Sequence, residues 1–211
     1  MAEVDLTAIV ASSIATPAAG VGAVFFDATG KLLKAKDDAG YVSGQTFNFS
    51  TASQAPAAAT RTYLTGSQLR VPKNKLQIGT LLCWRFNVTK TAAGVAASTY
   101  DIAVGVAGTV ADTARVSFTK PAGTAVIDEA WIEIQCTVRG PLSAVGVLVG
   151  TFRLMHNLSA TGHAVIPCVV VTTISAGFDI TVADLFVGVC VTSGAADALT
   201  IQQMQAQAIN L

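Results

Sequence analysis

Residues 81–88 read Leu-Leu-Cys-Trp-Arg-Phe-Asn-Val. From Leu82 onward every second side chain is large and apolar. Leu82, Trp84, Phe86 and Val88 fall on one side of an extended chain, with Cys83, Arg85 and Asn87 on the other. A period of two is the mark of a strand with one buried face. In a helix the same residues would scatter around the axis. The stretch therefore predicts a core strand in an antiparallel sheet.

The alternation recurs outward from this strand. In 130–138, Trp131, Glu133, Gln135 and Thr137 oppose Ile132, Ile134, Cys136 and Val138. Further strand-like runs are Tyr100–Val106, Ala114–Phe118, Val145–Met155, Ala164–Thr173, Leu185–Val191 and Leu199–Ile209, separated by Gly, Ser, Ala and Asp turns. No segment sustains a helical period. The pattern predicts an all-β fold, an antiparallel β-sandwich or jelly roll spanning 45–211. In the last run Leu199, Ile201, Gln203, Gln205 and Gln207 are expected on one face. Thr200, Gln202, Met204, Ala206 and Ala208 are expected on the other. A row of amides on a terminal strand suits packing between copies, so Gln203, Gln205 and Gln207 are candidate oligomer-interface residues.

Residues 1–44 read differently. Met1–Gly20 is rich in Ala, Ser and Thr and has no period, as expected of an extended arm. Ala23–Phe26 and Lys31–Ala35 are short β runs joined by the turn Asp27-Ala28-Thr29-Gly30. Asp37-Asp38-Ala39-Gly40 is a second turn signal. So small a hairpin is marginal alone. Val24, Phe25, Phe26, Lys31, Leu32 and Leu33 are its candidate attachment residues. Ser43–Ala59 reads as a linker or an edge strand, with Phe47 and Phe49 alternating.

Composition narrows the function classes. Among 211 residues, Lys plus Arg number 13 and Asp plus Glu 13, so the formal net charge is zero. Only 12% of residues are charged and 52% are hydrophobic. A neutral, apolar chain tends to associate, which implies a surface covered by copies of itself or by another protein. Nucleic-acid binding, which needs cations to meet phosphates, is not expected. Apolar runs are too short to span a membrane, and no basic residue precedes Lys31, so neither membrane insertion nor a secretory signal is expected. Cys83, Cys136, Cys168 and Cys190 each lie in an apolar run and read as buried free thiols.

Catalytic chemistry finds little support. Gly20-Val21-Gly22 lacks the third glycine of a dinucleotide loop. The acid pairs Asp37/Asp38 and Asp128/Glu129 read as turn residues bonding local backbone. The two histidines, His156 and His163, flank a short loop that can bring their rings together. The stretch 140–178 holds no acid, so they read as loop or interface residues and no metal is expected. Arg61, Arg70, Lys73 and Lys75 make one mildly basic stretch, read as a solvated loop. Asn48, Asn87 and Asn157 stand in glycosylation sequons, read as chance matches. No catalytic residue and no cofactor is implied, and the chain is not expected to be an enzyme.

Phe25-Phe26-Asp27-Ala28-Thr29-Gly30-Lys31-Leu32-Leu33-Lys34-Ala35-Lys36-Asp37-Asp38-Ala39-Gly40 resembles a short element of tailed-bacteriophage virion proteins. Trp84-Arg85-Phe86 with Lys90–Gly94, Gly108–Arg115, His156–Gly162 and Ser175–Asp179 resemble a recurrent phage structural β domain. The resemblance implies a non-enzymatic exterior virion protein, made in the host cytoplasm and assembled as a homotrimer. Capsid decoration or head fibre is the first form; a tail-fibre or baseplate receptor-binding module is the second. The implied partners are copies of the chain, capsid or tail subunits, and a host-surface glycan or protein. It gives Val24, Phe25, Phe26, Lys31, Leu32 and Leu33 a virion-anchoring role. Glycan contacts are expected on the loops Ala92–Thr99 and Gly105–Asp112.

Overall fold

The structure is a computed structural model that describes residues 8–9, 13–27, 33–36, 42–43, 46–181, 183–194 and 198–211. The chain separates into two compact units, 1–45 with Leu211 and 46–210.

The first unit holds one sheet. Its strands are β1 (Ala8–Ile9), β2 (Ala23–Asp27), β3 (Leu33–Lys36) and β4 (Val42–Ser43), in that order across the sheet. β2 pairs antiparallel with β3, and β3 with β4, as the alternating runs and intervening turns predict. β1 lies parallel to β2, with Ala8 opposite Phe26, so a piece of the expected arm enters the sheet. Lys36 Nζ donates to the Ile14 carbonyl at 2.5 Å, and Phe25 is buried.

The second unit is an antiparallel sandwich. Its strands are β5 (Thr46–Ser50), β6 (Arg61–Tyr63), β7 (Leu69–Val71), β8 (Leu81–Lys90), β9 (Ser98–Gly105), β10 (Thr113–Lys120), β11 (Asp128–Val138), β12 (Leu148–His156), β13 (Cys168–Ile174), β14 (Leu185–Thr192) and β15 (Leu199–Ile209). One sheet has six strands in the order β13-β12-β11-β8-β15-β5. The other has five: β10-β9-β14-β6, with β7 also on β14. The inward faces meet through aromatic rings. Tyr100 of β9 lies between Phe86 of β8 and Phe152 of β12, at 6.0 and 5.2 Å between centroids. Phe118 of β10 stacks on Phe152 at 5.7 Å. Offset and tilted rings at these separations suit the aromatic quadrupole. Trp84 is fully buried and donates its Nε1–H to the Ser67 carbonyl at 2.7 Å, so the one polar atom of the indole is satisfied.

Several boundaries depart from the sequence reading for identifiable reasons. Arg61–Tyr63 and Leu69–Val71 are strands and not a solvated loop, because Leu69 and Val71 bury against β14. Asp128 and Glu129 open strand β11 and do not form a turn. Phe47 and Phe49 lie on edge strand β5, which pairs with β15. In β15 a bulge between Ile201 and Gln203 resets the alternation. Leu199 and Ile201 therefore bury on the same side as Met204, Ala206 and Ala208, while Gln203, Gln205 and Gln207 point outward. All four cysteines are free, as expected, yet Cys168 is exposed at the sheet margin and not buried.

Candidate functional site

The two sheets present very different outer surfaces. Outside the five-stranded sheet, Asp101, Ala103 and Cys190 are buried. Arg61 reaches over them. Its guanidinium bonds both Asp101 oxygens, at 2.5 and 3.0 Å, and the carbonyls of Val110 and Asp112, at 2.5 and 2.9 Å. The Asp112 carboxylate in turn accepts from the backbone N–H groups of Ala107, Gly108 and Thr109. Loop 106–112 is thus fastened to the sheet.

The six-stranded sheet is open on its outer side. Strand register sorts its side chains into rows running across the strands, because directly opposed residues share a face. One row is Phe49–Gln205–Arg85–Glu133–Arg153–Val170. Glu133 receives Arg85 Nε at 2.8 Å and lies 3.6 Å from Arg153, so one carboxylate serves two guanidiniums. The next row is Gln203–Asn87–Trp131–Met155–Cys168.

Gln203, Asn87, Trp131 and Met155 of that second row floor a groove of about 710 Å³. Thr89, Glu129 and Asn157 extend one wall, and Thr51 and Gln202 another part of the lining. The groove is mostly polar: amides from Asn87, Asn157, Gln202 and Gln203, and hydroxyls from Thr51 and Thr89. Trp131 and Met155 supply its apolar surface. The β15 bulge brings two consecutive glutamines to this one face. Gln203 Nε2 donates to Asn87 Oδ1 at 2.8 Å and Gln202 Nε2 to Thr89 Oγ1 at 3.2 Å.

Beneath the groove the core ends in charge. The inward parity of β8 runs Leu82, Trp84, Phe86, Val88 and then Lys90, which is fully buried. Lys90 Nζ donates to the carbonyls of Thr91, Thr124 and Val126, at 3.0, 2.8 and 2.6 Å. Parity likewise carries Asp128 of β11 and His156 of β12 inward. His156 Nδ1 lies 2.7 Å from Asp128 Oδ2, and its Nε2 donates to the Ile166 carbonyl at 2.6 Å. Asp128 also accepts from the backbone N–H of His163 at 2.9 Å and of Glu129 at 2.9 Å. Lys120 Nζ donates to the carbonyls of Pro121 and His163. Gly162, at φ +90°, leaves the space that Asp128 fills; a Cβ there would collide with the carboxylate.

The histidine rings do come together, at 6.2 Å between centroids. His163 is fully buried, and neither ring nitrogen has a hydrogen-bond partner among the described residues. Burial lowers its pKa from 6.5 to about 4; Asp128 opposes this, and Lys120, Lys90 and His156 reinforce it.

The sequence-predicted residues land in different places. Gln203 lines the groove, while Gln205 and Gln207 lie beside the exposed, stacked pair Phe47 and Phe49. Val24 is exposed and Phe25 buried in the N-terminal sheet. Phe26 and Leu33 pair with each other across β2 and β3. Lys31 and Leu32, and the acids Asp37 and Asp38, lie outside the described residues. Asp128 and Glu129 face opposite sides of β11, one into the core and one into the groove. Arg70 pairs with Asp184 at 2.6 Å, far along the chain. No group of acids, cysteines and histidines that could hold a metal occurs among the described residues. The buried Lys90–Asp128–His156 cluster is missing from the sequence reading. Continuing the alternation of β8 and β12 by one further step would have found two of its members.

Comparison with known proteins adds little. No family model matches the chain, and no curated protein matches it. Among solved structures, the CBM2 module of the evolved Dit of Lactobacillus casei BL23 phage J-1 overlaps at a TM-score of 0.32 and 11% identity. That overlap covers 80% of this chain and 99% of that one. A legume lectin-like domain from Entamoeba histolytica overlaps at 0.24 and 9% identity, covering 74% and 88%. Overlaps this loose carry no argument about what the chain binds.

Proposed function

We propose that this chain is a non-enzymatic protein on the exterior of a tailed-phage particle, held by its N-terminal unit and presenting the sandwich to the host surface. The observation behind the host-facing role is the asymmetry of the sandwich. Arg61 and loop 106–112 cover the middle of one sheet, and the other carries an open, polar groove with a tryptophan in it. Concave surfaces with a few convergent polar groups are the usual places for ligands. The phage setting rests on the resemblance of the 25–40 element. A binding role, in preference to catalysis, is supported by the groove's chemistry. Its one carboxylate is Glu129, and its histidine is held at both ring nitrogens.

A second reading, assembly into a homotrimeric decoration or head fibre, is favoured by one observation. Phe47 and Phe49 stack at 5.6 Å while more than half exposed, next to Gln205 and Gln207. Such a patch suits a contact between copies.

Three measurements test these readings. Purified chain in excess should slow adsorption of the particle that carries it to host cells, and the Trp131→Ala chain should not. Unimpeded adsorption sinks the host-facing role. Light scattering on the eluting chain should give three copies; a stable monomer sinks the trimer. Removal of residues 1–44 should leave the sandwich folded and absent from particles.

A further inference from the structure

The groove itself narrows what can occupy it. It crosses the middle strands β12, β11, β8 and β15 of the six-stranded sheet, where each strand has a neighbour on both sides. Backbone N–H and C=O groups there are already spent on the ladder, so a peptide cannot add itself as a strand. Of the apolar residues in the lining Val88 and Ala130 are buried, which leaves Trp131 and Met155 facing the groove in place of the row of apolar pockets that an amphipathic helix needs. Its lining holds no lysine or arginine and does hold Glu129. The nearest row contains Arg85 and Arg153, and both are turned to Glu133. A phosphate-bearing or nucleic-acid ligand would meet a carboxylate without a cation to offset it.

What remains suits one chemistry. A carboxamide offers donors and an acceptor from one side chain, and a threonine hydroxyl is both. Asn87, Asn157, Gln202, Gln203, Thr51 and Thr89 thus present mixed donors and acceptors along the groove. Vicinal sugar hydroxyls are themselves both donor and acceptor. An indole adds a rigid amphipathic surface for the C–H side of a pyranose ring. From β12 to β15 the row covers about 14 Å, three strand spacings of ~4.8 Å, the length of a short oligosaccharide. The side chains are also held in place before any ligand arrives. Gln203 is bonded to Asn87 and Gln202 to Thr89, and the Asn157 backbone N–H donates to the Glu129 carbonyl. A prearranged site loses less entropy on binding.

We infer that the groove along Met155, Trp131, Asn87 and Gln203 is a binding site for an uncharged oligosaccharide. The inference rests on the host-facing reading above and names its ligand class.

The experiment places the full-length chain on an array of immobilised neutral hexose and N-acetylhexosamine oligosaccharides, beside uronate- and sialate-bearing ones. The best neutral member is then titrated by calorimetry. Expected is retention of neutral glycans, a loss of at least tenfold in affinity for Trp131→Ala and for Asn87→Ala, and no change for Arg70→Ala, which lies on the other sheet. Thermal unfolding of each variant separates lost binding from lost folding. Retention of no glycan, preference for the anionic members, or full affinity in folded Trp131→Ala overturns the inference. If the chain blocks particle adsorption while no glycan is retained, the host-facing role stands and the saccharide assignment alone fails. If it neither blocks adsorption nor retains a glycan, both fall.

Discussion

Asp128 Oδ2 and His156 Nδ1 meet at 2.7 Å across strands β11 and β12, with no solvent-accessible surface on either side chain. The same oxygen accepts from the His163 backbone, so the pair pins loop 157–167 to the end of the sandwich. Removing one partner of a buried pair leaves the other uncompensated. Asp128→Ala should therefore lower unfolding free energy by about 3–5 kcal/mol in urea titrations. Asp128→Asn keeps an acceptor and should lose less. Equal loss in the two variants would show that the carboxylate charge carries the whole effect and the neutral acceptor none.

His163 gives the fold an acid-sensitive slope. Its pKa is lowered from 6.5 to about 4 in the folded chain, first by burial and then by Lys120, Lys90 and His156, against the pull of Asp128. Below pH 6.5 the unfolded chain gains a proton that the folded chain refuses until pH 4. Stability contributed by the neutral ring is thus complete above 6.5 and falls as pH drops through that window, by about 3 kcal/mol. His163→Gln should flatten this part of the stability–pH curve. An unchanged slope between pH 6.5 and 4.5 would assign it to other groups.

Arg61 secures a loop as well as a charge. Its side chain spans Asp101, whose carboxylate is nearly sealed, and two carbonyls of loop 106–112. Arg61→Met keeps the aliphatic stem and strands Asp101. We expect a loss of about 3 kcal/mol, with faster hydrogen exchange at Ala107, Gly108 and Thr109. Unaltered exchange there would mean that Asp112 holds the loop by itself.

Thiol chemistry should single out one cysteine. Burial pushes Cys190 up to about 12 and raises Cys83 and Cys136 as well, so none of these offers thiolate near neutrality. Cys168 is exposed on edge strand β13. Native chain should take up one equivalent of a thiol reagent and Cys168→Ser none. Release of further thiols is expected in denaturant.

The fold is legible wherever one parity rule holds over a whole strand. Leu82, Trp84, Phe86 and Val88 and then Ile132, Ile134, Cys136 and Val138 bury as the alternation says. Trp131 takes the outer side, and Cys83 alone is buried against its parity in these two runs. Legibility ends where parity is broken or where burial is bought by hydrogen bonds instead of apolar surface. Lys90, Asp128 and His156 occupy core positions that residue type alone assigns to solvent. Their partners are carbonyls of Thr124, Val126 and Ile166, which no local pattern brings near. The groove was half visible. Its Trp131 and Asn87 sit on outward parity, but their adjacency depends on the β8–β11 register, a long-range pairing. The candidate loops 92–99 and 105–112 lie apart from the groove lining.

The irregularity at Ile201 and Gln203 has a bearing on how this chain can change over time. On either side of it β15 obeys opposite parities, so the strand works as two half-strands joined out of phase. Substitutions along it alter one contact each. Loss of Gln202 would remove the bulge and leave a regular strand, with Leu199, Ile201, Met204, Ala206 and Ala208 still inward and one glutamine gone from the groove. Strand length and groove chemistry are therefore linked: a strand one residue shorter here keeps its buried face and gives up one of the groove's two consecutive glutamines.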